Sequence, residues 1–374
     1  MPGPGSHDWF AIIGDRVEDL ERFSTRWQGK PRYPNSMKLL RAVGAVLVPA
    51  VAVGLSLSSC SSGSGDDTAS DSPDSATTSQ AFPLTVNHHR GSTEIPEAPQ
   101  RIIALDNAFL DYAVDLGGTV VGVSDIGAEL VPTYLDDDQA ERAADVESVG
   151  NIAEPQLEKI AALQPDLILS SDVRHKQYYD QLTEIAPTVF SEDTGDTWQE
   201  NYLLTGEALG KKEQAEGRLT AIRDRAGRIG DRIRDEGPDD VPDVSVVRIK
   251  DENTIRLYGE DTFSGSVLAM AGLPRPKNQE SGYPGQDFGM YVVSRENLDE
   301  ADADLILVSV PEEGTAKAKE WAAISDAVLG TATWTAFDGR KVDVDEGTWM
   351  TSVSPIGADH ILTDVAEIFD VDGE

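Results

Sequence analysis

Residues 197–234 read TWQENYLLTGEALGKKEQAEGRLTAIRDRAGRIGDRIR, and the reading of this stretch decides the fold. It opens on Thr197-Trp198-Gln199-Glu200, a Thr-x-x-Glu capping box that pairs the first free N–H groups of a helix. Gly210 breaks or kinks the pattern. Beyond it Ala215, Leu219, Ile222, Ala226, Ile229 and Ile233 recur at helical steps, which lays them along one face. Arg218, Arg223, Asp224, Arg228, Asp231, Arg232 and Arg234 cover the other faces. Unbroken from residue 213 to 234, such a helix would run roughly 33 Å at about 1.5 Å per residue, enough to cross from one small domain to another. Strand–helix alternations of similar pattern flank it on both sides. The expected architecture is α/β: two α/β lobes with mostly parallel sheets, joined by one long helix, with a ligand cleft between the lobes.

Upstream of the helix, residues 101–105, 120–123, 165–169 and 187–190 read as short buried strands. Residues 109–116 fit a helix stopped by Gly117-Gly118, 151–163 a helix with Pro155 in its first turn, and 175–185 a further helix. Downstream, 244–249 and 255–258 are strands paired through the Asp251-Glu252-Asn253 turn, and 304–308 is another strand. Residues 263–271, 294–301, 321–329 and 356–368 are expected helices. The two halves echo one another: Glu158 lies eight residues before Asp166-Leu167-Ile168-Leu169, and Glu296 eight before Asp304-Leu305-Ile306-Leu307.

The start of the chain belongs to another class of segment. Met37-Lys38-Leu39-Leu40-Arg41 precedes an apolar run, interrupted by Gly44, Pro49, Gly54 and Ser56, that closes on Leu57-Ser58-Ser59-Cys60. A basic start, an apolar core and small residues at the end make a secretory signal. A membrane-spanning helix is the alternative, weakened by the short run, Pro49 and Gly54. Leu57-Ser58-Ser59-Cys60 looks like a bacterial lipobox, which implies lipidation of Cys60, the only cysteine. Residues 1–36 then read as a non-native extension or a mis-called start, 37–60 as the lipoprotein signal peptide, and 61–81 as a polar disordered tether. The N-terminal lobe is expected over 82–195, the inter-lobe helix over 196–236 and the C-terminal lobe over 237–374. A formal net charge of −36 argues against nucleic-acid binding, which needs a basic face.

Val149-Gly150, the run from Pro155-Gln156-Leu157-Glu158-Lys159-Ile160 to Pro165-Asp166-Leu167-Ile168, Ile185-Ala186-Pro187-Thr188-Val189 and the long helix carry a resemblance. Over residues 95–370 the chain resembles the ABC-transporter substrate-binding proteins that carry ferric siderophores, haem or cobalamin. In that family the lobes move little and the ligand sits in a shallow cleft. Val173-Arg174-His175, Val246-Val247-Arg248 and Ile255-Arg256-Leu257-Tyr258-Gly259 look most like the iron–siderophore branch. The resemblance implies an extracytoplasmic, lipid-anchored, monomeric binding protein at the outer face of a bacterial cytoplasmic membrane. It would capture ferric siderophore for an ABC permease dimer, with no cofactor of its own and iron arriving inside the ligand. Haem or cobalamin on the same fold is the alternative; an enzyme or sensor is a more distant one. The resemblance places permease-docking glutamates at Glu158 and Glu296.

Arg248 and Arg256, on neighbouring strands, and Arg174 are the candidate cations, since guanidinium forks suit carboxylate and hydroxamate oxygens; internal ion pairs are the alternative. Tyr258, Tyr283 and Trp349 are candidate cleft aromatics, with core packing as the alternative that also claims Trp198. Asn107 follows the first strand, where α/β sheets place ligand loops, or else caps a helix. His175 could touch ligand or sit solvated at a helix start. His88-His89 point to opposite faces of a strand and cannot chelate together, and no set of three or four convergent ligands suggests a metal site. The Gly-x-Ser-x-Gly, phosphate-loop and His-x-x-x-His patterns of common enzymes do not occur.

Overall fold

The computed structural model describes residues 81–236, 241–251, 253–312 and 314–374. The signal segment, Cys60 and nearly all of the expected tether lie outside them.

Strands β1 (Leu84–His88) and β2 (Gly91–Ile95) form an antiparallel hairpin. Strands β3 (Ile102–Ala104), β4 (Val120–Asp125), β5 (Glu147–Asn151), β6 (Glu154–Pro155), β7 (Leu167–Ser171) and β8 (Thr188–Ser191) build the first large sheet, in the order β6-β5-β4-β3-β7-β8. Every pairing in it is parallel except that of the edge strand β6. Its central strands are apolar without alternation because helices cover both faces. Ile102 and Ala104 face one core, while Ile103 and Leu105 face another with Ile160, Ile168 and Phe190.

The second sheet contains β9 (Val244–Asp251), β10 (Thr254–Tyr258), β11 (Met290–Val293), β12 (Leu305–Val310) and β13 (Arg340–Asp345), in the order β11-β10-β9-β12-β13. It is mixed: β9, β12 and β13 pair in parallel, while β10 is antiparallel to both its neighbours, β9 and β11. Val244, Val246, Leu305 and Leu307 face the core shared with the first sheet, whereas Val247, Ile249, Ile306 and Val308 face a separate one.

Between the sheets the chain forms helix Trp198–Ala208, then helix Lys212–Glu236. Gly210, at φ 67°, turns the chain between them in a left-handed conformation that glycine adopts without a side-chain clash. The 25-residue second helix is about 37 Å long. Its stripe of Ala215, Leu219, Ile222, Ala226, Ile229 and Ile233 is at most 2% exposed and lies within the shared core. Burying each of its leucine and isoleucine side chains contributes about 1.5–3 kcal/mol. Gly230 lets helix Phe263–Met270 approach closely, since a Cβ there would come within 2.1 Å of the Ala271 carbonyl oxygen. The polar faces are fastened too. Arg218 pairs with Asp115 at 3.4 Å and Asp359 at 2.7 Å, and Arg225 with Asp359 at 3.1 Å. These ion pairs tie the long helix to helix Asn107–Asp115 and to the C-terminal helix Pro355–Phe369.

Local details differ from the sequence expectation. The Thr197 hydroxyl donates to the Asp193 carboxylate rather than capping its helix. Asp106, not Asn107, caps helix Asn107–Asp115 by accepting from Ala108 N–H. Pro155 ends edge strand β6 instead of opening a helix, which begins at Leu157. Residues 172–183 break into three short helical turns. Residues Arg295–Ala301 form 3₁₀ turns with non-helical geometry at Asn297. Among the described residues no helix is long and apolar enough to cross a membrane.

Candidate functional site

Parallel strands β7 and β8 end at the same side of their sheet, and the segments that follow them carry Val173, Arg174 and Asp193–Asp196 to the mouth of a cleft. This is where open α/β sheets place ligands. From the second sheet, β10 alternates: Ile255 and Leu257 enter the core, so Arg256 and Tyr258 lie on the opposite, cleft-lining face. Asp261, Ser264, Phe288 and Met290 continue that wall, and Trp349, Met350 and Val353 complete the lining. The cleft holds about 660 Å3. Two large apolar side chains stand open at it, Phe288 at 75% exposure and Val173 at 51%. Phe288 also holds φ at 48°, a left-handed conformation that is unfavourable for a bulky residue.

The arginines differ in what surrounds them. Arg256 is half-buried in the cleft lining, and among the described residues no carboxylate pairs with it. Arg174 lines the cleft while its Nε donates to Asp106 Oδ2 at 3.0 Å. Arg248 sits directly across the strand pairing from Arg256, on the same sheet face, but outside the cleft lining. Its Nε donates to Glu346 Oε1 at 2.8 Å, its Nη2 contacts the same oxygen, and its Nη1 donates to the Tyr258 hydroxyl at 3.0 Å. Burial pushes the Glu346 carboxyl up, but Arg248 and Lys317, the latter at 2.8 Å, outweigh it and hold the group below its usual range. Arg248 therefore forms an internal ion pair that braces Tyr258, and contact with a ligand would go through that tyrosine.

Trp349 lies in a π-helical turn, Gly347–Thr351, and its indole Nε1 donates to Asp364 Oδ2 at 2.7 Å. Burial pushes the Asp364 carboxyl up to about 6 despite that bond. The segment after this turn is anchored from below by Asp111. That fully buried carboxylate accepts from the hydroxyls of Ser352 at 2.6 Å, Ser354 at 2.9 Å and Tyr134 at 3.1 Å. Burial pushes Asp111 up to about 7, the three hydrogen bonds acting in the other direction.

The other sequence candidates lie away from the cleft lining. His175 is fully buried. Its Nε2 donates to the Ile152 carbonyl at 2.8 Å, which leaves Nδ1 to accept from Ser170 Oγ at 2.7 Å; burial lowers its pKa and keeps the ring neutral. Asn107 is buried in the first turn of its helix. Tyr283 packs edge-on against Tyr291 with ring centroids 5.5 Å apart. Phe288, Val173 and the three aspartates of the lining were not singled out from sequence. Glu158 and Glu296 are both exposed, near the starts of helix Leu157–Ala162 and of the 3₁₀ segment Arg295–Ala301. Among the described residues no group of three or more His, Cys, Asp or Glu side chains is placed to hold a metal ion.

Two sheets of this topology, spanned by one helix with a cleft between them, invite comparison with known proteins. Residues 102–339 match the periplasmic binding protein family. The chain belongs to this family. A relative in Bacillus subtilis, named "Probable siderophore-binding lipoprotein YfiY", is 31% identical over 322 residues, covering 84% of this chain and 94% of that one. The Fe(3+) dicitrate-binding periplasmic protein FecB of Escherichia coli is 28% identical over 303 residues, covering 78% of this chain and 92% of FecB. Among solved structures, Staphylococcus aureus SirA complexed with staphyloferrin B superposes with a TM-score of 0.66 at 27% identity, covering 78% of this chain and 100% of that one. The names of these proteins refer to a siderophore, to Fe(3+) dicitrate and to staphyloferrin B, and SirA shares the fold.

Proposed function

We propose that this protein captures ferric–siderophore complexes outside the cytoplasmic membrane and delivers them to an ABC importer. The observation that carries the reading is Arg256, a guanidinium with no carboxylate partner among the described residues, in a cleft whose mouth also carries exposed apolar side chains. A fork of N–H donors suits the chelating oxygens of a ferric complex, and the exposed Phe288 and Val173 suit its organic backbone, whereas Trp349, at 1% exposure, belongs to the core. Arg174 and Tyr258 are the further ligand contacts, with Arg248 holding Tyr258 in place. Iron enters inside its chelator, so the protein acts by binding and not by catalysis. Among the described residues the cleft lining contains no histidine to serve as an axial haem ligand, and its arginine, aspartate and serine side chains suit a polar chelate. The rest of the reading is a monomer anchored through lipidated Cys60 that docks Glu158 and Glu296 against the two subunits of a permease. Its lobes are 82–195 and 237–374, joined by the helical segment 196–236.

The test is a binding screen of the purified full chain by quenching of tryptophan fluorescence, using ferric siderophores, ferric citrate, haem and cobalamin. Saturable quenching by a ferric siderophore or ferric citrate at micromolar concentration or below is expected. Binding of haem or cobalamin alone would overturn the reading.

A further inference from the structure

The cleft is charged asymmetrically. Asp193 and Asp196 come from the loop after β8 in the first sheet, and Asp261 from the segment after β10 in the second. Among the described residues none of the three carboxylates has a basic partner. Asp193 accepts from the Thr197 hydroxyl, Asp196 from the Thr197 N–H at 3.1 Å, and Asp261 from Ser281 Oγ at 2.7 Å and Gly282 N–H at 3.2 Å. These are neutral donors, so the negative charge stays. Against it stand two arginines, and Arg174 is already matched by Asp106. Beside Asp261 a second, independent feature points to a missing group. Ser264 lines the cleft at 1% exposure, and its buried hydroxyl has no hydrogen-bond partner. An unpaired buried hydroxyl is costly unless a ligand completes it.

We infer that this acidic end of the cleft takes the ammonium of an amine-bearing ferric hydroxamate, so that the protein selects cationic ferric siderophores over anionic ones. The inference rests on the ferric-siderophore reading above and specifies its ligand class. Three hydroxamates neutralise ferric iron, so the chelate core is uncharged and Arg256 meets it through oxygen lone pairs. Citrate and catecholate cores keep net negative charge and would meet three carboxylates that have no counter-ion. An ammonium donates three hydrogen bonds, which suits carboxylates from two lobes together with the Ser264 hydroxyl. Burial is the main cause that pushes the Asp196 carboxyl up, and the nearby charges of Asp193 and, last, Asp261 add to it. The formal net charge of −36 adds a long-range field that draws cations towards the protein.

The experiment compares ligands that differ mainly in charge. The purified full chain is titrated by tryptophan quenching with ferrioxamine B, which carries a pendant ammonium, with its N-acetylated neutral form, and with ferric dicitrate. Titrations are run at low and high salt. Ferrioxamine B is expected to bind at least about tenfold more tightly than the acetylated form at low salt, an increment of about 1.4 kcal/mol. Ferric dicitrate should bind most weakly, and high salt should narrow the gap. Asp196→Asn, whose side chain touches only a backbone N–H, should narrow it as well, with a thermal melt to verify folding. Equal binding of the two ferrioxamines, or tighter binding of ferric dicitrate, overturns the inference and leaves the siderophore reading standing. If no ferric complex binds at all, the siderophore reading itself falls and this inference falls with it. Because the wild-type ligand series decides the matter, the result does not depend on the variant folding.

Discussion

Replacing Asp111 with asparagine should make the protein more stable at pH 8, by a margin that disappears as the pH falls towards 4. Asp111 is fully buried and its pKa is raised from 3.8 to about 7, chiefly by burial. The native state therefore holds a proton that the unfolded chain gives up over most of that interval. An acid with a raised folded pKa contributes stability that is complete below its unfolded value and lost as pH rises through its folded one. At about 1.4 kcal/mol per pH unit, the loss between pH 4 and 7 reaches on the order of 4 kcal/mol, as an upper bound. Asparagine does not titrate and keeps one carbonyl oxygen for its neighbours, while the Ser352 and Ser354 hydroxyls can rotate to accept from its amide. Urea titrations at half-unit pH steps, followed by circular dichroism, give the difference between variant and wild type directly; the other titrating groups cancel in it. A difference that stays flat from pH 4 to 8 would show that the native pKa of Asp111 is not raised above its unfolded value. A variant less stable than wild type at pH 8 would show that the three hydroxyl bonds to the carboxylate outweigh its burial.

Arg256→Ala should weaken ferric-siderophore binding by about 1.5–3 kcal/mol, the range for hydrogen bonds to charged groups, with the melting temperature unchanged because among the described residues no carboxylate pairs with it. Unchanged affinity in a quenching titration would remove Arg256 from the site. Gly230→Ala should cost about 1–3 kcal/mol through overpacking against the Ala271 carbonyl, measured by urea denaturation; a neutral result would mean that the two helices can part easily. Charge reversal at both Glu158 and Glu296 should leave affinity and melting temperature intact while abolishing uptake of labelled ferric siderophore by cells, and normal uptake would refute the docking role. Cys60→Ala should move the protein out of the membrane fraction, and an unchanged mass and distribution would refute lipidation there.

The long helix could be read in sequence because its apolar period is a local property: each member of the stripe from Ala215 to Ile233 announces itself three or four residues from the next. The cleft could be read only in part. Arg248 and Arg256 look alike in sequence, each a cation interrupting an apolar strand. What distinguishes them is Glu346, which arrives beside Arg248 from a position 98 residues further along the chain. In sequence His175 reads equally as a ligand contact or a solvated residue at a helix start; its buried partner, the Ile152 carbonyl, belongs to a different strand connection. Phe288 escaped notice because it lies in a turn without periodicity, where an unusual φ and not a pattern exposes it. Asp193 and Asp196 follow a parallel strand just as Asn107 does, so the rule that drew attention to Asn107 could have found them.

The shared core has a consequence for modularity. Val246 and Leu307 of the second sheet pack into the same apolar cluster as Ile102 and Leu167 of the first, with Leu219 and Ile229 of the long helix between them. Each sheet packs one face into a core of its own, but the core on its other face is common to both halves. Cutting the chain anywhere along the helix would leave one fragment with an apolar stripe open to water and the other with a sheet lacking its cover. The cleft therefore cannot be re-engineered by exchanging a lobe with a relative as a self-contained cassette. The unit of exchange is limited to the loops at the cleft, such as Asp193–Asp196 or the turn that carries Phe288, whose residues line the cleft instead of the common interior.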